Sequence, residues 1–127
     1  MTTVYTMNDK DRDIAGLIRE TDPAYSRETV TLILGSGVVK ANTVMGKITA
    51  SGKWKPYTPG AVDGSQNAAG ILLYETDTTA DITSPISARD SVWAVDMVNW
   101  GAAVTTQPHK DTAIAALKAL PGPIVVR

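Results

Sequence analysis

The stretch Val44-Met45-Gly46-Lys47-Ile48-Thr49-Ala50, Ser51-Gly52, Lys53-Trp54-Lys55-Pro56-Tyr57 reads as strand, turn and strand. The first segment is apolar and partly β-branched, Ser51-Gly52 turns the chain, and the second alternates charged and bulky groups. The result is a hairpin with one polar face. Pro56 and Pro59 argue for an edge strand, because proline cannot donate to a ladder.

Strand signals continue on both sides of this hairpin. Val30-Thr31-Leu32-Ile33-Leu34 is β-branched and apolar, and Gly35-Ser36-Gly37 turns the chain after it. Thr58 to Asn67 holds Pro, Gly, Asp, Ser and Asn, and is predicted as a loop. Ala69-Gly70-Ile71-Leu72-Leu73-Tyr74 is the most apolar run and is predicted as a central strand. Glu75 to Pro85 is rich in Thr and Asp and is predicted as a second loop. Ser91 to Val98 alternates, with Trp93, Val95 and Met97 as the better core face. Asp111-Thr112 is a candidate N-cap for an Ala-rich helix carrying Ile114, Leu117 and Leu120 on one stripe. Pro121-Gly122-Pro123 stops that helix, and Ile124-Val125-Val126 closes the chain as a short strand. Six or seven strands with turns between them and one late helix predict a small, mainly-β domain over residues 27–127.

The first 28 residues read differently. Met1 to Met7 alternates like a short strand, and Asn8 to Asp13 is polar and charge-dense. Ile14, Leu17 and Ile18 stand at i, i+3, i+4, the spacing of one helix face, with Asp11 or Asp13 as cap and Thr21-Asp22-Pro23 as stop. A lone helix this short is marginal in water. Residues 1–26 are therefore expected to form an arm that gains structure by docking, either on a partner or on its own domain.

The whole chain fits one domain of ordinary globular composition: 127 residues, 43% hydrophobic and 20% charged, with no Phe. A net charge of −1 gives no general attraction to nucleic acid. Four lysines (Lys40, Lys47, Lys53, Lys55) and no acid lie between Thr29 and Val62, whereas six acids and Arg89 alone lie from Asp63 to Asp96. These segments either meet across a subunit contact or are solvated turns. With no Cys, disulfides, thiolate metal sites and a Cys nucleophile are excluded. Met1 to Met7 has no apolar core of a signal peptide, and no run approaches the ~20 apolar residues that span a bilayer. The expectation is a soluble protein made in the cytoplasm, with no membrane partner.

Catalytic, metal and cofactor motifs fail on context. His109 stands alone in the polar turn Gln107-Pro108-His109-Lys110, with no other ligand at metal spacing, and is expected as a surface turn residue. No Gly-x-Ser-x-Gly elbow is present. Gly35-Ser36-Gly37 lacks a third glycine and a following helix. Gly46-Lys47 would need a glycine at position 41, which is Ala41. Asp9, Asp11 and Asp13 alternate like calcium ligands, but Ile14 stands where that loop needs glycine. No catalytic residue, metal ligand or cofactor is assigned. Trp54, Trp93 and Trp100 with Tyr57 and Tyr74 are a candidate stacking surface, but large aromatics in a chain without Phe more often anchor a core or a subunit contact. Trp54, Tyr57, Trp93 and Trp100 are accordingly expected at subunit contacts.

Arg27-Glu28-Thr29-Val30-Thr31-Leu32, Gly46-Lys47-Ile48-Thr49-Ala50-Ser51-Gly52-Lys53, Tyr57, Pro59, Asp63-Gly64-Ser65 and Gly70-Ile71-Leu72-Leu73 follow one another in an order that resembles the bacteriophage head decoration proteins of the lambda protein D type. Ala115 to Leu120 running into Ile124-Val125-Val126-Arg127 fits the same resemblance, which covers about Arg27 to Arg127. It implies a compact β-clip-like or barrel-like fold and a structural, non-enzymatic cement role. It also implies a virion location on the outer capsid surface, with the major capsid protein as partner, and self-association as a homotrimer with a dimer as alternative. It further implies an N-terminal arm that binds the capsid. In this chain Val4, Tyr5 and Met7 would pair at a sheet edge, and Ile14, Leu17, Ile18 and Tyr25 would bury against a neighbour. Two segments depart from the pattern: the helix-like part of the arm and the stretch from Glu75 to Asp90. A carbohydrate- or ligand-binding β module is the competing expectation from another class.

Overall fold

The computed structural model describes residues 13–127. Ten strands lie among them: β1 Leu17–Glu20, β2 Arg27–Leu32, β3 Val38–Val39, β4 Val44–Lys47, β5 Trp54–Pro56, β6 Ala68–Leu72, β7 Thr76–Asp77, β8 Ile82–Ser87, β9 Ser91–Trp93 and β10 Ile124–Val126. Two α-helices join them, α1 Pro23–Ser26 and α2 Gln107–Lys118. The fold is mainly β, as the periodicity predicts.

Five strands close into a barrel in the order β2-β5-β4-β6-β8. The hairpin that opens the sequence reading is its β4–β5 pair, with Met45 opposite Pro56 and Lys47 opposite Trp54. Closure overturns the expectation of an edge at β5. Leu32 of β2 pairs in parallel with Trp54, and the Ile33 N–H donates to the Trp54 carbonyl at 2.9 Å. A closed barrel removes its edges, and Pro56 is tolerated because the β5–β2 contact is only this short.

Alternation along β4 and β6 feeds two cores. Met45 and Leu72 point into the barrel with Val30, Leu32, Val39, Trp54 and Ile86. Val44, Ile71 and Leu73 point outward, against Trp93, Val98, Ala113, Leu117 and Ile124. That second core is roofed by α2 and a three-stranded sheet of order β1-β9-β10. Strands β9 and β10 run parallel, so a crossover must join them, and α2 supplies it.

Several local expectations are corrected. The helix expected around Ile14, Leu17 and Ile18 is instead a turn followed by β1, antiparallel to β9. Ile14 adopts the left-handed region at φ 61°, which breaks a helix at its start. A Cβ on Gly16 would stand 3.0 Å from the Trp93 ring, so the glycine lets this segment lie flat on the indole. The register slips between Leu17 and Arg19, and this bulge leaves Ile18 facing solvent. Asp22-Pro23, expected as a stop, starts α1: the Asp22 carboxylate accepts from the Ala24 N–H at 3.0 Å.

The stretch Glu75 to Pro85, expected as a loop, contains β7 and most of β8. β8 pairs with β2 along six residues, from Arg27↔Ser87 to Leu32↔Ile82. Its polar side chains are satisfied inside: Ser84 Oγ meets Thr76 Oγ1 at 3.1 Å and Ser87 Oγ meets Ser91 Oγ at 2.8 Å. Downstream, Ser91 to Val98 is not one strand. After β9 a 3-10 turn, Val95–Met97, carries Val95 out to solvent, while Val98 enters the core. Helix α2 begins earlier than expected, with Thr106 as its cap residue and Pro108 in the first turn, where a missing N–H costs nothing.

Residues 13–26 belong to the body and show no break before Arg27. The Ile14 N–H donates to the Leu73 carbonyl at 3.0 Å, and Ile14 and Leu17 pack on the second core. Arg27 grips Glu20 through Nε at 3.2 and 3.3 Å and Nη2 at 2.8 Å, tying β1 to the barrel. This fork holds the Arg27 guanidinium above its usual range.

The loop from Thr58 to Asn67 is clamped over β4. A Cβ on Gly46 would stand 2.5 Å from the Ser65 carbonyl oxygen. Gly46→Ala should therefore destabilise the fold by about 1–3 kcal/mol, the usual range for forcing atoms into a packed site. Gly60→Ala in the same loop has open space at its Cβ and should cost about 1 kcal/mol or less, from its positive φ alone. Urea unfolding midpoints of the two variants test this ordering; equal losses would remove the clamp.

Candidate functional site

The seven residues expected in a binding arm separate into three groups. Val4, Tyr5 and Met7 lie outside the described residues. Ile14 and Leu17 are half-buried on the molecule's own core. Ile18 and Tyr25 remain on the surface, 56% and 57% exposed. Tyr25 is held in place: the Arg89 guanidinium lies 5.2 Å from its ring centroid and donates to its backbone carbonyl, and Arg89 also pairs with Glu28 at 2.9 Å. A preset aromatic loses little freedom when it meets a partner.

The four aromatics expected at subunit contacts are mostly interior. Trp54 fills the barrel, and Tyr57 and Trp93 sit in the second core, with Trp93 fully buried. These three have too little surface to meet another subunit, and with them goes the stacking platform of the carbohydrate reading. The Trp93 indole N–H donates to Ser91 Oγ at 3.1 Å, so its polar end is satisfied inside. Trp100 alone of the four is half-buried, edge-to-face with Tyr57 at 6.5 Å between ring centroids. Burial pushes the Tyr57 phenol up, and its O–H donates to the His109 carbonyl at 3.2 Å.

His109 is in the first turn of α2, half-buried, and not in a surface turn. Its Nδ1 has no partner among the described residues. No group of three His, Asp or Glu side chains among the described residues could hold a metal ion. Asp13 of the calcium-like run accepts from the Glu75 N–H at 3.1 Å. No described helix is long and apolar enough to cross a membrane. The basic and acidic segments meet within one chain at Lys53–Asp81, where the Lys53 ammonium and the Leu34 N–H lower the Asp81 carboxyl.

A feature the sequence did not reveal is a cleft of about 510 Å³ between β3, the segment after Asn99 and the start of α2. Val38, Lys40, Trp100, Val104 and Lys110 line it. These residues come from separate stretches of the chain, so no local pattern announces them.

Asp63-Gly64-Ser65, part of the resemblance, is a structural clamp. The Asp63 carboxylate accepts from Ser65 N–H at 2.9 Å and Ser65 Oγ at 2.6 Å, which lowers its pKa. Stability from this depressed carboxyl is present above its unfolded pKa and is lost as pH falls through the folded one. Asp63→Ala should lower the urea midpoint at neutral pH and flatten its decline on acidification. An unchanged acid profile in the variant would show that Asp63 contributes nothing.

A search of curated proteins found no match. The family model described as bacteriophage lambda head decoration protein D matches residues 6–123. The match begins well before Arg27, so it takes in β1, α1 and part of the segment before them. Spanning nearly the whole chain, it shows that the protein belongs to the bacteriophage lambda head decoration protein D family, structural proteins of the phage capsid.

Proposed function

We propose that this protein binds the outer surface of the phage head after synthesis in the host cytoplasm and bridges neighbouring major capsid protein subunits. The family match over residues 6–123 carries this reading. Each subunit contributes a modest contact, and repetition on a lattice multiplies the effective affinity. A ligand that binds the assembled shell and not its separated parts raises the stability of the shell by mass action. Self-association as a homotrimer would add further links of the same kind. The role is mechanical, and no reaction step is assigned to any residue.

The gripping element in this reading is the N-terminal segment. Val4, Tyr5 and Met7 have the alternation of a strand that adds to a sheet edge. Ile18 and Tyr25 extend the contact on the body, since both are exposed. Ile14 and Leu17 support the segment from below.

Heads lacking the protein, supplied with it again, should bind it and withstand a higher temperature before disruption. Heads that take up none of it, or that show no gain, would refute the bridging role. Deleting residues 1–12 should abolish head binding without changing the circular dichroism or unfolding midpoint; retained binding would remove the arm from the mechanism. The cut belongs at residue 12, because a deletion to Ser26 also removes β1. Ile18→Asp should leave stability within about 0.5 kcal/mol, as for an exposed site, while weakening head binding several-fold in co-sedimentation.

A further inference from the structure

Asp63-Gly64 is the one Asp-Gly linkage in the chain, and the chain has no Asn-Gly. An Asp-Gly linkage is chemically weak, because glycine has no side chain to keep its backbone nitrogen away from the aspartate carboxyl. The nitrogen attacks Cγ, a C–N bond forms, and the amide proton leaves with a carboxyl hydroxyl as water. The cyclic imide then takes water back at either carbonyl. Opening at the original backbone carbonyl routes the chain through the aspartate side chain, as isoaspartate, with no net change of mass.

The fold needs this linkage where it stands. A Cβ on Gly64 would lie 2.5 Å from the Lys47 carbonyl oxygen and 2.8 Å from the Thr49 nitrogen, and the residue sits at φ 112°. Asp63 supplies the carboxylate that accepts from the Ser65 N–H at 2.9 Å and from Ser65 Oγ at 2.6 Å. Neither residue can be exchanged without disturbing the loop clamped over β4.

Hydrogen bonds hold each reacting group of the linkage. The Asp63 carbonyl accepts from the Thr49 N–H at 2.8 Å, and the Gly64 N–H donates to Gln66 Oε1 at 2.8 Å. The peptide plane is thus pinned at both ends. Attack requires that plane to turn until the nitrogen faces Cγ, which breaks both bonds. The Ser65 bonds, with the Lys55 ammonium, favour the ionised carboxylate, a poor electrophile. Asp63 is exposed, so burial does not keep water from the site.

We propose that Asp63-Gly64 is a latent site of isoaspartate formation, held shut by its hydrogen bonds to Thr49, Ser65 and Gln66. The lock opens when residues 58–67 lift locally, without unfolding of the whole domain. Conversion inserts a methylene into the backbone at the clamp. Gly64 then no longer fits beneath Lys47 and Thr49, and Ser65 loses its seat on Gly46.

Prolonged incubation of the full chain at neutral pH, followed by tryptic mapping with electron-transfer fragmentation, reads isoaspartate at residue 63 as a displaced peptide of unchanged mass. The chain unfolded in urea should convert many-fold faster than the folded chain. Ser65→Ala and Gln66→Ala should each speed conversion of the folded chain several-fold, one by releasing the carboxylate and the other by releasing the Gly64 N–H. Ile124→Val weakens the second core instead and should leave the rate unchanged. Equal rates in the folded and unfolded chain, or two loop variants that convert no faster than the parent, would overturn the lock. So would equal acceleration by Ile124→Val, because global unfolding alone would then expose the linkage. The separated isoaspartate form should unfold at a lower urea concentration than the parent; an equal midpoint would overturn the unclamping.

Discussion

The β4–β6 pair is the constraint from which the rest of this molecule follows. Val44 faces Ile71 and Met45 faces Gly70, on opposite sides of the same two strands. Because side chains alternate along a strand, a single ladder supplies one wall of the barrel and the floor of the second core. A slip of one residue would exchange the two sets. Glycine guards the register at two points. A Cβ on Gly70 would stand 2.9 Å from both Ile86 Cδ1 and the Ser87 carbonyl, and Gly46 admits the Ser65 backbone on the other strand.

Both cores then depend on elements that return from far along the chain. Trp93 is fully buried and belongs to β9, whose neighbours β1 and β10 come from the two ends of the described chain. Leu117 and Ala113 close the same core from α2. The N-terminal strand is therefore held by the C-terminal half, and its position is fixed when that half packs. The chain reaches β1 through the turn at residues 13–16, where the Ile14 N–H donates to the Leu73 carbonyl. A load applied at Asp13 would meet the segment directly after β6, through the Ile14–Leu73 and Glu75–Asp13 hydrogen bonds, before it reached β9.

Much of this was legible in the sequence, and the exceptions share a cause. The β4–β5 hairpin, β6 and β10 are dense in β-branched and apolar residues, and their patterns are local. β8 was hidden because Ile82-Thr83-Ser84-Pro85-Ile86-Ser87 is half polar. It becomes a strand through a six-residue pairing with β2, fifty residues away, and through hydroxyls paired with other buried hydroxyls. The i, i+3, i+4 spacing of Ile14, Leu17 and Ile18 was a chance helical match. The glycine between them and the Trp93 face decided for a strand, and an indole that arrives so late in the chain has no signal near Gly16. The aromatic expectations failed for a related reason. Size and polarity mark Trp54, Tyr57 and Trp93 as anchors, but only the packing says that they anchor this subunit to itself. The family resemblance rested on turn and strand residues, and several of them, Gly46, Gly64 and Ser65 among them, prove to be contacts of one clamp.

The integration of residues 13–26 changes what the proposed capsid contact would require. An arm of 26 residues would be a long tether with a large entropy of ordering. With β1 and α1 locked to the body, residues 13–26 would bring no such cost to the proposed contact, where each newly fixed residue costs roughly 1–2 kcal/mol of backbone entropy. The body itself offers an aromatic already held by Arg89 and an isoleucine turned outward by a bulge. Such a surface needs less from each contact than a free tail would. Repeated over a shell, as proposed, modest contacts of this kind would suffice, because each attachment raises the effective concentration for the next.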